Sequence, residues 1–589
     1  MIRVLLEYIY LRMKNRIISI HYQKLILLAI IILALIFRLY GLDWDQGQHL
    51  HPDERFLTMV MDAMRLPKNL ADYLNPQKST MNPYNLGYGF FVYGTFPLNL
   101  TKIIGIVTNN DDYGKIHLVG RFLSAIFDVG IVILLFKIGK KIFNEKTGLL
   151  AAFLYSIMVL PIQLSHFFAV DTFLNFFLIL SFYFLVLLIS QYPSILISIF
   201  LGGSFGLALA CKINAILFLP IIALGFLLKF LSELLHSKRK LSLFLLFIAH
   251  CLLITTCCYL AFRFNQPQAF INENFLNFHL NPQFIKNLQE LESYNNPKNP
   301  SPPAIQWLST KPIIFPLKNL ILWGLGLPLG IICIISLFYS LTQLLNLFSK
   351  TKKEEKIYNL LISSWVIFLF TYQGIQFAKT IRYFLFIYPF LALLASQFVN
   401  ETYVILKRKI HRLFTVYCLL FTVLMIYPFS FMNIYTKPIT RVTASEWIYQ
   451  NIPPGSTILN EEWDDGLPLS LEKNNASLYN WQAVFMYDPD SLEKWQRILP
   501  KLNTADYIII SSNRAYGAIM RLPAKYPQTT EYYQSLFDGT GKFTKVAEFT
   551  SYPCFPPGKF NLFCFNDDSS EESFTVYDHP KVMIFKRKS

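Results

Sequence analysis

Leu42-Asp43-Trp44-Asp45-Gln46-Gly47-Gln48-His49-Leu50-His51-Pro52-Asp53-Glu54-Arg55-Phe56 starts where the first long apolar run of the chain stops. Pro52 suits the first position of a helix. Asp53 and Glu54 suit its first turn, where backbone N–H groups lack partners and the helix dipole is positive. Phe56, Leu57, Val60, Met61 and Met64 then recur at helical spacing. The pattern predicts a short helix lying on a membrane surface with an acidic pair at its N-terminus. A charge cluster that only caps a helix would look the same, so the rest of the chain has to separate the two readings.

Of the 589 residues 53% are hydrophobic and only 15% charged, against about 25% charged in soluble domains. Apolar runs fall near 23–41, 118–137, 148–164, 171–190, 194–211, 213–231, 242–262, 317–347, 358–377, 382–399 and 413–431. Runs of about 20 apolar residues are the length that crosses a bilayer. The expected fold is a polytopic α-helical membrane protein with about eleven spans, although 194–231 would also suit a re-entrant hairpin. The net charge of +16 reads as basic loops on one side of the membrane rather than a nucleic-acid surface, since Lys and Arg gather at the ends of apolar runs. No GxGxxG or Walker pattern supports soluble nucleotide binding. Residues 1–22 read as a cytoplasmic or interfacial segment with no small-residue cleavage site after it.

Charge sets the topology. With the N-terminus inside, the inside turns carry Lys137, Lys140, Lys141 and Lys146, then Lys238, Arg239 and Lys240, then Lys350 to Lys356, then Lys407 to Arg412; only 190–193 is not basic. Loops 42–117 and 263–316 and everything after 432 are then outside. Residues 263–316, rich in Asn, Pro and Gln, read as a lid or a plain long loop. Residues 432–589 are more polar and read as a soluble extracytoplasmic α/β domain. Its expected elements are a helix near Ser445–Ile448, strands at 456–459 and 506–510, and a terminal strand pair, 574–577 with 582–585. Six cysteines sit in or beside apolar runs as small hydrophobes. Cys554 and Cys564 stand in the polar region and would form a disulfide if it is extracytoplasmic.

Ionisable groups recur where spans meet the outside: Arg121, His166, Asp171, Lys212 (with Asn214), Lys379 and Arg382. Such groups at membrane depth are costly and usually line a cavity or pathway, although the long ones would also snorkel to the interface. Three carboxylates and several cations at one depth suggest one site, the cations holding a phosphate and the carboxylates activating a nucleophile.

Asp53-Glu54 after the first span, Arg121, His166…Asp171, Lys212-x-Asn214 and Arg382-Tyr383…Tyr388-Pro389, in this order, resemble the GT-C glycosyltransferases of family 39. These are the protein O-mannosyltransferase and aminoarabinose-transferase type. The resemblance spans roughly 23–430. Ala444-Ser445-Glu446-Trp447-Ile448 and Glu461-Glu462-Trp463-Asp464-Asp465-Gly466-Leu467-Pro468 resemble motifs of one uncharacterised bacterial subgroup.

The resemblance implies a bacterial inner-membrane enzyme that moves a sugar from a polyprenyl-phosphate donor to an extracytoplasmic acceptor by inverting displacement. Asp53 would be the base, with Glu54 and Asp171 beside it positioning acceptor or sugar hydroxyls. Arg382, Lys212, Lys379 and Arg121 would hold the donor phosphate. His166, His51, Asn214 and Tyr383 would contact acceptor or sugar. No cofactor is required. A metal on His49, His51 and Asp53 is the minor alternative, because Pro52 interrupts their alternation and the family resembled mostly works without one. A lipid-sugar flippase and an inactive glycan-binding scaffold are the rival functions; the flippase would need paired broken helices near the midplane.

Overall fold

The computed structural model describes residues 22–191, 194–235, 237–345, 353–407 and 412–588. The expected N-terminal segment 1–22, except Tyr22, and parts of the turns near 190–193, 350–356 and 407–412 lie outside these residues. Each of the eleven expected spans falls on a helix. Among the described residues, eight helices are long and apolar enough to cross a membrane: Tyr22–Leu39, Ile116–Ile142, Val170–Ser190, Ile213–Leu234, Lys240–Asn265, Leu327–Leu345, Ile381–Leu406 and Leu413–Asn451. Glu145–Ser156 and Val159–Ser165, bent by 60° at the intervening break, make a ninth if counted as one span. The other two expectations fall on Ile195–Cys211, 17 residues long, and Lys353–Ile375. The chain is a multi-pass membrane protein.

The expected span 317–347 is interrupted. Ile314–Asn319 runs into a π-helical turn, Leu320–Gly324, before Leu327–Leu345 begins. Gly326 carries a φ of +79°, a conformation that costs glycine little. A Cβ on Gly324 would lie 1.9 Å from the Tyr388 hydroxyl oxygen, so these glycines serve close packing. Cys211 and Cys333 are buried as small hydrophobes, whereas Cys418 faces outward.

Pro52–Ala63 is helical as expected. His51 is its N-cap, and the backbone N–H of Glu54 donates to His51 Nδ1 at 3.3 Å. Its apolar face does not lie on lipid, however. Leu57, Val60, Met61 and Met64 are fully buried within the main protein core. The helix is therefore a wall of the protein, and the surface-lying expectation is corrected. A second wall follows, the 13-residue helix Thr95–Val107. Segment 263–316 is tied down rather than loose. Asn287 donates to the Gly89 carbonyl at 3.0 Å, Gln306 donates to Glu572 at 2.9 Å, and Ile305 enters the core of the C-terminal domain.

That domain holds a five-stranded sheet in the order β2-β1-β3-β7-β4. Its strands are β1 (Thr457–Glu461), β2 (Asn480–Val484), β3 (Tyr507–Ile510), β4 (Phe543–Phe549) and β7 (Val582–Arg587). β1 is parallel to β2 and β3, while β7 is antiparallel to β3 and β4. A two-stranded ribbon, β5 (Cys554–Phe555) and β6 (Phe563–Cys564), carries the Cys554–Cys564 disulfide.

The expected strand at 574–577 is absent, and β7 pairs elsewhere. Glu572–Thr575 is a helical turn instead. Its alternating pattern is satisfied by the membrane domain. Phe574 packs with Trp323 and Phe431, and Gln163 donates to the Phe574 carbonyl at 2.7 Å. The Glu571 backbone N–H donates to Asn319 at 2.7 Å, and the Glu571 carboxylate accepts from the Ile381 N–H at 3.3 Å. The segment is a wedge that docks the C-terminal domain onto the bundle.

His579 closes this wedge between Asp578 and Asp567. Burial disfavours its cation, but Asp578 and Asp567 outweigh burial and raise it from 6.5 to about 10. The folded protein thus favours protonated His579. Its contribution to stability is complete below pH 6.5 and is lost as pH rises towards 10. Thermal unfolding in detergent should show a melting temperature that falls from pH 6.5 to 10. Substitution His579→Gln should flatten that fall while lowering the melting temperature at pH 6.5.

Candidate active site

The helix cap turns Asp53 away from the buried face, and the chain from the break before Tyr388 brings Arg382 to meet it. Arg382 Nη1 donates to Asp53 Oδ2 at 2.5 Å, and the two side chains are 19% and 26% exposed. They are the accessible pair of the cluster. Lys212, at the break between Ile195–Cys211 and Ile213–Phe218, donates to Asp171 at 2.9 Å. The Tyr383 ring lies 5.4 Å from Lys212 Nζ and 5.8 Å from the Arg382 guanidinium. Asp53, Asp171, Lys212, Arg382 and Tyr383 are thus gathered from four separated stretches of chain.

Burial pushes the Asp53 carboxyl up, but Arg382, His51 and Lys212 together outweigh it and hold it below the usual carboxylate range. Asp53 is therefore ionised at neutral pH. A phosphate bound by Arg382 and Lys212 would compete for the same cations and leave Asp53 a stronger base.

Two tyrosines complete the cluster. Burial and the neighbouring Asp53 carboxylate hold the Tyr93 hydroxyl well above its ordinary value. The Tyr577 ring, carried by the docking wedge, packs 4.3 Å from His51, and burial pushes its hydroxyl up to about 12. Both keep their protons at neutral pH and are available as donors. Neither was legible in the sequence, where they are two of 33 tyrosines with no motif around them.

The structure puts the other expected residues elsewhere. Glu54 is fully buried and faces Arg121, not Asp53's opening. Arg121 donates to Glu54 at 2.9 and 2.5 Å, to Asp45 at 3.0 and 2.9 Å, and to the Leu42 carbonyl at 2.9 Å. A guanidinium has five N–H donors, so none remains for a phosphate. The Phe168 N–H also donates to Glu54, at 2.6 Å, and the Trp44 ring covers Arg121 at 4.9 Å. Glu54 and Arg121 hold the site's floor. His166 lies between the Ile162 and Tyr40 carbonyls, 2.8 and 3.0 Å away, and stacks on Tyr435 at 3.8 Å with no exposure. It has no free nitrogen for a sugar.

His51 is 1% exposed, with Nδ1 used by the helix cap. Burial pushes it down to about 4, so it is neutral. Asn214 is exposed on its 3₁₀ turn. Lys379 is buried and donates to the Phe377 carbonyl at 3.0 Å; its contacts are with its own loop. A further buried ion pair, Arg38 with Asp128 at 2.5 Å, stabilises the bundle below the site.

The C-terminal domain grips the Asp53 helix through the second sequence motif. Asp465 accepts from Arg55 at 2.6 Å, and Asp464 accepts from Arg441 and Ser512. Gly94 fixes the opposite wall. Its N–H donates to the Cys211 carbonyl at 2.9 Å, and an added Cβ would lie 1.9 Å from the Ala210 carbonyl oxygen. Substitution Gly94→Ala should therefore push Tyr93 and Lys212 apart. The expected result is a transfer rate reduced at least tenfold with a lowered melting temperature.

A metal on Asp53 and Asp171 does not fit. Among the described residues, neither Asp53 nor Asp171 belongs to a group of three ligand side chains close enough together to hold one ion. His49, His51 and Asp53 do not converge either, because His51 caps the helix and His49 stacks on His117 at 4.4 Å.

Residues 113–259 match the sequence model of a family described as dolichyl-phosphate-mannose-protein mannosyltransferase. No curated protein matches the chain in sequence. Among solved structures, an oligosaccharyltransferase from Archaeoglobus fulgidus, tethered to an acceptor peptide, aligns with a TM-score of 0.50 at 13% identity; the alignment covers 96% of this chain and 88% of that one. Oligosaccharyltransferase AglB from the same organism, with an inhibitory peptide and dolichol-phosphate, aligns at 0.49 and 14% over 87% and 72%. ArnT from Cupriavidus metallidurans, bound to undecaprenyl phosphate, aligns at 0.39 and 11% over 80% and 94%. The first of these alignments shows the fold. The family segment lies inside that fold, so the chain is a multi-pass membrane protein with the fold of that oligosaccharyltransferase and a stretch matching the mannosyltransferase family within it.

Proposed function

We propose that the chain transfers a sugar from a polyprenyl-phosphate donor to a hydroxyl or amine acceptor, with inversion at the anomeric carbon. The observation that carries this reading is the pairing of the accessible Asp53 with Arg382, beside Asp171 with Lys212. It offers two cations for one phosphate and a carboxylate freed when that phosphate arrives. The lipids named for two of the similar structures, dolichol-phosphate and undecaprenyl phosphate, are of the chemical class that this transfer would release.

In this reading Arg382 and Lys212 bind the donor phosphate. Asp53 takes the acceptor proton as the acceptor atom attacks the anomeric carbon. The bond from that carbon to the phosphate oxygen breaks, and polyprenyl phosphate leaves with the electron pair, its growing charge met by the same two cations. Tyr93 and Tyr577 donate to sugar or acceptor oxygens, and Asp171 orients Lys212. The site and the C-terminal domain face the extracytoplasmic side of a bacterial inner membrane. The basic turns at Lys137–Lys146 and Lys238–Lys240 support that orientation, because they lie at the opposite ends of the helices that carry the site.

The test is transfer by the purified protein from a radiolabelled polyprenyl-phosphate sugar to a panel of protein, lipid A and glycan acceptors. A covalent product is expected. A lipid-sugar flippase would instead move the donor across vesicles with no covalent product, and a glycan-binding scaffold would do neither.

A further inference from the structure

Behind the Glu54–Arg121 pair lies a second cluster that the transfer reaction does not use. Asp43, Asp45 and His117 each offer one ligand atom, and those atoms lie within 4.8 Å of one another. His117 has no exposure, and neither ring nitrogen has a hydrogen-bond partner. An unpaired buried polar group is destabilising, so an imidazole with both nitrogens idle needs a reason. His49 stacks on it at 4.4 Å, and His49 Nδ1 is likewise buried without a partner.

The carboxylates have capacity to spare. Asp45 Oδ1 accepts once, from Arg121, and Oδ2 accepts from Arg121 and the Leu50 N–H; a carboxylate has about four lone-pair sites. Asp43 is exposed and accepts from the Gly47 N–H at 3.0 Å. Asp45 and Glu54 share the guanidinium of Arg121, so two carboxylates there face one cation, and exposed Asp43 adds a third carboxylate to the cluster.

We propose that Asp43, Asp45 and His117 bind one divalent first-row transition ion, with His49 as a further ligand. A mixed imidazole and carboxylate set favours zinc, manganese or cobalt over magnesium or calcium. The ion would pin the loop before Asp53 to the start of Ile116–Ile142. It is a structural centre, separate from the Asp53–Arg382 opening.

The experiment uses the full chain in detergent, stripped with a chelator, desalted, and titrated with zinc chloride or cobalt chloride. Bound metal per chain and the visible spectrum of cobalt are read. The expected result is one ion per chain, with a cobalt spectrum of nitrogen and oxygen ligation. Affinity should fall at least tenfold in Asp43→Asn and in His117→Ala and stay unchanged in Asp53→Asn. If His117→Ala does not fold, the exposed Asp43 carries the test. No binding to the wild-type chain would overturn the proposal. So would unchanged binding in Asp43→Asn, or loss of the ion in Asp53→Asn, which would place the metal at the transfer site.

Discussion

Replacing Asp53 by Asn should lower the rate of glycosyl transfer by about 10²–10⁴-fold, the scale of a positioned general base, with expression and melting temperature close to those of the wild type. The amide keeps the shape and the helix start but cannot take a proton. It also loses the ion pair with Arg382. Because both side chains of that pair are partly open, at 26% and 19%, its loss should cost less stability than breaking a sealed pair such as Arg121 with Glu54. The donor should still bind, since Arg382 is released rather than removed. Arg382→Ala should behave differently, raising the donor concentration needed for half-maximal rate as well as lowering turnover. Transfer by Asp53→Asn at near-normal rate would show that another group takes the proton.

Arg121→Met should be the most destabilising single change on this side of the protein. Asp45, Glu54 and Arg121 are all without exposure. Removing the cation leaves two carboxylates facing each other in the interior, and breaking a buried ion pair in this way costs about 3–5 kcal/mol. A large fall in melting temperature and in yield is expected. The double change Glu54→Gln with Arg121→Met should recover part of it, because one of the stranded charges is gone. A phosphate-binding role would give another pattern, in which Arg121→Met folds normally and only the donor dependence of the rate changes. Melting curves of the two single variants, Arg121→Met and Arg382→Ala, separate these outcomes.

These two arginines mark where sequence reading stops. Both sit near the outer ends of apolar spans, and from the sequence both qualify as phosphate ligands. A sealed ion network and an open site need the same residue types at the same depth. The difference lies in whether a carboxylate arrives from another part of the chain to satisfy the guanidinium. For Arg121 two do, in bidentate geometry; for Arg382 one does, and the pair stays open. His166 shows the same limit, since only its Ile162 carbonyl partner is local, while the Tyr40 carbonyl and the Tyr435 ring that seal it lie far away in the sequence.

The membrane spans were legible because about 20 consecutive apolar residues have few other uses. The helix that begins at Pro52 was legible because cap, proline, acidic turn and apolar spacing agree. The alternation at 574–577 misled because it suits a strand, while the membrane domain offers Phe574 a pocket that a sheet does not. That docking brings Tyr577 to the site, so one misreading hid both the wedge and the aromatic residue it delivers.

The central claim is that Asp53 serves as base in a direct displacement at a lipid-phosphate sugar. Its most direct test is the anomeric configuration of the product, read by nuclear magnetic resonance after transfer from a donor of known configuration, with wild type and Asp53→Asn compared side by side. The account predicts an inverted linkage from the wild type and no measurable product from the variant in the same time. A retained linkage, or an inverted one formed equally fast by Asp53→Asn, would contradict it.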